Sequence, residues 1–182
     1  MNEPSLIKRA QAGDASAFEA VLEANYDTIY TFAYRWCGSQ EDAEDITQIV
    51  CVKLARAIAQ FRFESSFSTW LYRLVINAAK DWQKAQARHT STSRSETDLQ
   101  DLPAGSSAPE NTIFLQQLIS RMNTLPEGFK ETMLLVHAEG MNHREAAAIL
   151  NIKESTISWR IHEARKQLKA MFTLEESRLG EI

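Results

Sequence analysis

The chain has little of what makes a disulfide scaffold, a metal site or a membrane span. Only Cys37 and Cys51 occur in 182 residues, too few for a disulfide framework, and both fall in apolar helical patterns where buried free thiols are expected. A zinc site needs about four ligands, and His89, His137, His143 and His162 show no ligand spacing with these cysteines. No apolar run approaches the ~18 residues of a membrane span. The start MNEPSLIKRAQAGD has no signal-peptide apolar segment, so a cytoplasmic protein without membrane insertion is expected. Phosphate-cradling glycine loops and nucleophile motifs are also missing. The expectation is a non-enzyme with no catalytic residues, metal or cofactor.

Charge is scarce overall but segregated. A net charge of −4 argues against non-specific coating of nucleic acid, which phosphate neutralisation drives. Yet Arg73, Lys80, Lys84 and Arg88 face only Asp81 between residues 70 and 89, and five basic residues face Glu154 and Glu163 between 153 and 169. Glu41, Asp42, Glu44 and Asp45 form an acidic knot. An acidic protein with two basic helices needs a large partner to hold it on DNA.

What is present in abundance is helical periodicity. Residues 15–37 carry Phe18, Val21, Leu22, Ile29, Phe32, Ala33 and Trp36 at helical spacing, and Gly38 ends the run. Ser39, with Asp42 three residues on, is a cap for a third helix over about 40–60. Ile46, Val50, Leu54, Ala57 and Phe61 make its core stripe, while Val52, Ala55 and Ala59 lie beside Asp45, Gln48 and Arg56 on the far side. Apolar residues on both faces mean burial or a protein partner. A polar, aromatic loop, FRFESSFS, leads into a helix over about 69–88 whose core face is Leu71, Leu74, Val75, Ala78 and Trp82. Arg73, Ile76, Asn77, Lys80 and Lys84 point outward. Phe63, Phe67, Trp70 and Tyr72 near its start, interleaved with basic groups, suit stacking of single-stranded bases, unless they fill the core.

Residues 89–111 are rich in Ser, Thr, Asp and Pro and read as a linker. Helical spacing resumes over 112–124, then from Pro126, placed in the first turn of a helix that Gly140 ends. His137 within it reads as structural. The sharpest unit is NHREAAAILNIKESTISWRIHEARKQLK, residues 142–169. Asn142 and Glu145 form a capping box, Asn151 suits the left-handed exit of the first helix, and Ser155 caps the second. Ile157, Ile161, Ala164 and Leu168 form a core face; Ser155, Trp159, His162 and Lys166 lie opposite, flanked by Ser158, Arg165 and Lys169. This is either a hairpin with a solvated face or a helix-turn-helix whose second helix enters a DNA major groove. The fold class expected is all-α: two small helical domains joined by a flexible linker, the second a helix-turn-helix. After Leu168 the tail continues the helix a turn or two and frays.

Four segments in this order, AQAGDASAFEAVLEANYDTIYTFAYR, EDAEDITQIVCVKLARAIAQF, FSTWLYRLVINAAKDWQKAQAR and LPEGFKETMLLVHAEGMNHREAAAILNIKESTISWRIHEARKQL, resemble the extracytoplasmic-function group of bacterial sigma factors. The resemblance implies a sigma2-type domain over 1–89, a linker over 90–111 and a sigma4-type domain over 112–182. It implies core RNA polymerase as partner, with Asp45, Gln48, Ile49, Val52 and Arg56 on the clamp helices of its largest subunit and the flap region of the second subunit as a further contact. Minus-10 promoter DNA would be held by Phe63, Ser66, Phe67, Arg73, Asn77, Lys80, Asp81 and Lys84. Minus-35 DNA would be read by Ser155, Thr156, Ser158, Trp159, His162, Arg165 and Lys166. It further implies an anti-sigma factor as regulator, and a linker directed to the RNA exit path with Glu96, Asp98 and Asp101 mimicking nucleic acid. Departures from the family pattern fall at Ile49, Cys51, Ala55 and Glu163, where the family often has acidic, aromatic, tryptophan and arginine side chains. The alternative is a stand-alone helix-turn-helix transcription regulator that acts without polymerase.

Overall fold

The computed structural model describes residues 3–93 and 110–179. Among these residues every regular element is helical. Of the linker read at 90–111, residues 94–109, with Glu96, Asp98 and Asp101, lie outside them, as do the last three residues of the tail, whereas 90–93 and 110–111 are not linker but the ends of helices Phe67–Ser93 and Glu110–Thr124.

The first half comprises α1 (Glu3–Gln11), α2 (Ala15–Cys37), α3 (Gln40–Ala57) and α4 (Phe67–Ser93). Asp14 caps α2 by accepting from the Ala17 amide at 3.1 Å. Its carboxyl is lowered to about 2 by hydrogen bonds from Ser16 and Arg9. Gly38 ends α2 at φ 77°, a left-handed turn that costs glycine little. Ser39 caps α3 through the Asp42 amide, as the spacing predicts. A 3₁₀ turn, Ile58–Gln60, then tips Phe61 into the core.

The second half comprises α5 (Glu110–Thr124), α6 (Phe129–Met133), α7 (His143–Leu150) and α8 (Glu154–Leu179). Pro126 stands in the turn before α6 rather than in its first turn, because Gly128 at φ 88° is the N-cap and the helix begins at Phe129. A π-helical turn, Leu134–Ala138, follows; the periodicity gave no sign of it. α7 has the predicted capping box of Asn142 and Glu145 and the predicted left-handed Asn151. α8 starts two residues earlier than a Ser155 cap would place it, at Glu154, so Ser155 lies in its first turn rather than capping it.

The two halves pack against each other through α4 with α7, and through α2 with α5 and the π-helical turn. This contact explains one departure from the sequence reading and two buried charges on which the sequence reading was silent. Ile76, expected outward on α4, is only 3% exposed and borders a groove whose other wall is Ile149, Leu150 and Asn151. Lys130 and Glu131 are buried although charged, a condition that requires partners. Cys37 and Cys51 are free thiols but half-buried, not buried as expected. Burial raises the pKa of both.

Candidate nucleic-acid interface

Three surfaces bear the predicted site residues. On α8, Ile157, Ile161, Ala164 and Leu168 are all buried. Helical geometry therefore turns Ser155, Ser158, Trp159, His162, Arg165 and Lys166 to solvent, while Thr156 is half-buried. Trp159 is 56% exposed but not loose: its ring meets Phe129 edge-on, centroids 5.4 Å apart. Arg165 donates to His137 Nε2 at 3.2 Å, which requires an unprotonated acceptor nitrogen. Burial first, and the Arg165 charge second, lower the His137 pKa and favour that state. His137 thus positions the exposed Arg165 side chain; the sequence reading took His137 as structural and named no partner for it. Ser158 shares a 2.9 Å hydrogen bond with His143 Nδ1.

On α3, Asp45, Gln48, Val52 and Arg56 are exposed, with Val52 at 47%. Of the two sequence readings of this face, burial within the chain is excluded. Ile49 differs from the other four: it is half-buried and packs against the core.

The third surface, at the start of α4, needs more correction. Phe67 is 4% exposed and packs against Phe61 and Trp70, with centroids 5.5 and 5.6 Å away. It is a core residue, unavailable for stacking on a base, because Phe67 lies one turn before the buried Leu71 on the inward face of α4. Phe63 remains at the surface, 38% exposed, held at φ 58° with the Lys8 ammonium 5.6 Å from its centroid. Ser66 is exposed, and its hydroxyl accepts from the Thr69 amide at 3.1 Å, so it also caps α4. Asn77 and Lys84 are exposed, and Asp81 is exposed with a 2.8 Å ion pair to Lys53.

Arg73 and Lys80 are half-buried because the second half covers them. Arg73 donates from Nε to the Ile149 carbonyl at 3.0 Å and from Nη2 to the Ala148 carbonyl at 2.5 Å. Lys80 pairs with the buried Glu131, and with Glu127 at 3.5 Å. Nearby, Glu139 accepts from Arg35 Nη1 at 2.6 Å and from the Tyr72 hydroxyl at 2.7 Å. Burial raises the Tyr72 phenol pKa, and the Glu139 carboxylate adds to the shift. Arg35, Glu131 and Glu139 escaped the sequence reading because nothing in local spacing links them to partners roughly fifty to a hundred residues away.

This arrangement of an exposed helix-turn-helix face and a basic helix in a separate half is a transcription-factor architecture. Comparison with known proteins identifies the kind. Sigma-70 region 2 matches residues 21–89, and Sigma-70 region 4 matches residues 115–168. The ECF RNA polymerase sigma-E factor of Escherichia coli K12 is 30% identical over 178 residues, covering 92% of this chain and 93% of that protein. The sigma-E factor of Haemophilus influenzae is 28% identical over 179 residues, covering 93% and 94%. The chain belongs to the ECF family of RNA polymerase sigma factors. It is a promoter-specificity factor of transcription initiation, not an enzyme, and the region 2 match disfavours a stand-alone regulator.

Solved structures agree on the fold. CnrH, in complex with the cytosolic domain of CnrY, aligns with a TM-score of 0.66 at 22% identity, covering 93% of this chain and 96% of that one. The sigma factor RpoE, in complex with the anti-sigma factor NepR from Bartonella quintana, aligns at 0.62 and 23%, covering 86% and 96%. Among the described residues no helix is long and apolar enough to cross a membrane.

Proposed function

We propose a residue-level division of labour for this sigma factor. The outward face of α8, with Ser155, Ser158, Trp159, His162, Arg165 and Lys166, reads the minus-35 duplex. Phe63, Ser66, Arg73, Asn77, Lys80, Asp81 and Lys84 hold the unpaired minus-10 strand. Asp45, Gln48, Val52 and Arg56 dock on the clamp helices of the largest polymerase subunit, and the second half meets the flap region. An anti-sigma protein restrains the factor, as NepR is bound to RpoE in the Bartonella complex. Promoter opening then follows from binding the unpaired strand better than the duplex, with no chemical step.

The observation that carries this reading is the clean split of α8. All four residues of its core stripe are buried while six of the seven predicted readers stand in solvent. The test is run-off transcription from a genomic promoter pool by core polymerase with and without the protein. Stimulation of a discrete promoter set is expected, and loss of that set with Trp159→Ala combined with Arg165→Ala. If the double variant retains the same promoters at the same strength, α8 is not the reader.

A further inference from the structure

Two of the side chains assigned to the minus-35 duplex are held from outside α8. Arg165 donates from Nη2 at 3.2 Å to Nε2 of His137, which lies on the π-helical turn Leu134–Ala138. Ser158 shares its 2.9 Å hydrogen bond with Nδ1 of His143, the first residue of α7. The two contacts answer differently to a proton. The Ser158 hydroxyl has one hydrogen and donates it to the Glu154 carbonyl at 3.2 Å. His143 is therefore the donor to Ser158, and an imidazolium donates from Nδ1 as a neutral ring can. His137 is an acceptor, and an imidazolium accepts nothing. Acid thus removes the hold on Arg165, leaves the hold on Ser158, and sets a second cation beside the guanidinium.

Among the described residues, the charged or titratable groups that face His137 are Arg165 from α8 and His143 from α7. Burial first, then these two, oppose its protonation, so it takes up a proton only on the acid side of the ordinary 6.5. Glu139, two residues along, turns instead to Arg35 of α2 and Tyr72 of α4.

We propose that His137 is a proton-gated positioning residue for minus-35 reading: neutral, it holds the Arg165 guanidinium in one orientation on the reading face; protonated, it releases it, and the factor discriminates less between promoters. This rests on the assignment of Arg165 to the minus-35 duplex.

The effect of the hold is preorganisation. An arginine fixed before binding loses less rotamer freedom when it meets DNA. Its fork has five N–H groups, so one given to His137 leaves donors for a base edge or a phosphate. Protonation acts in a second way, because added positive charge near phosphates strengthens binding that does not depend on sequence. Acid is therefore expected to lower specificity rather than total affinity, which neither unfolding nor a general loss of binding would do.

The test uses the full chain bound to core polymerase and the competition of two duplexes, one with the minus-35 element of a promoter found in the transcription assay and one with that element scrambled. The readout is the ratio of their affinities, so effects of pH on the polymerase that ignore the element cancel. Between about pH 7.5 and about pH 5.5 the wild-type ratio is expected to fall about tenfold, the scale of one arginine contact to a base. His137→Ala should show the low ratio already at neutral pH. His137→Gln supplies a carbonyl oxygen that accepts but does not titrate, and is expected to recover the neutral ratio and keep it in acid. A wild-type ratio that does not change with pH overturns the inference, and so does an equal fall in His137→Gln. Arg165→Ala separates the gate from the reading itself, and decides the question should His137→Gln fail to fold by circular dichroism. Its ratio is expected to be low and equal at both pH values; a low ratio that still falls in acid overturns the gate alone. A wild-type ratio retained by Arg165→Ala at neutral pH removes Arg165 from the readers and the inference with it.

Discussion

The Lys130 ammonium lies 4.1 Å from the centroid of the Trp36 ring, across the junction of the two halves, and donates to Asn123 Oδ1 at 2.6 Å. Burial pushes its pKa down to about 8, with Cys37 and Glu131 acting the other way. The ring face and one amide oxygen therefore do not recover all the hydration the cation loses.

That depression sets the sign of a pH dependence. Below about pH 8 the native and unfolded chains both carry the proton, and the native state bears the full cost. Between about 8 and the ordinary 10.5 the unfolded chain binds more protons, so this group makes the protein more stable as pH rises. The cost relieved is on the order of 3 kcal/mol. Denaturant melts at pH 7 and pH 9.5 should show a gain for wild type that is smaller in Lys130→Met; equal pH responses would show that the lysine does not titrate in this range.

The docking face of α3 gives a prediction of unchanged stability. Gln48 and Val52 are exposed, and substitutions at such positions shift stability by no more than about 0.5 kcal/mol. Gln48→Ala with Val52→Asp should keep the wild-type melting temperature and lose affinity for core polymerase in a binding titration. A folded variant with normal affinity removes the clamp contact.

On α8 the consequences separate by residue. Lys166→Ala should lower minus-35 duplex affinity and reduce the salt slope by about one, the signature of a phosphate contact. Trp159→Ala should also cost about 1 kcal/mol of stability, because its ring packs on Phe129. Anisotropy titrations at several salt concentrations, alongside melts, distinguish the two.

Gly128 holds φ 88°, and an added Cβ would clash with the Arg160 guanidinium, which donates from Nη1 to the Gly128 carbonyl. Gly128→Ala should therefore destabilise by roughly 1–3 kcal/mol of backbone strain, with the guanidinium displaced as well. Unfolding by urea measures it, and a change below about 0.5 kcal/mol, the level of an ordinary surface substitution, would mean that the turn relaxes freely.

Local signals accounted for most of the helices, though not for the π-helical turn or the start of α6, and for the solvent-facing side of α8. The capping box at Asn142, the glycine stop at Gly38 and the stripe from Ile157 to Leu168 are each written within a few residues, and each stands where the spacing put it. Phe67 was misread because a capped helix start turns its first apolar residue inward, which composition does not reveal. Ile76 and Glu131 were misread or missed for a different cause. Their burial depends on the other half of the chain, and periodicity within one helix carries no information about a partner helix many residues away.

The latch that Arg73 makes with α7 uses main-chain carbonyls, and every amino acid supplies one. Residue 148 can therefore change its side chain freely, since Ala148 itself is exposed, without removing an acceptor. Comparison of α7 sequences among relatives would not betray this contact. Its loss would be visible at a single position, the arginine.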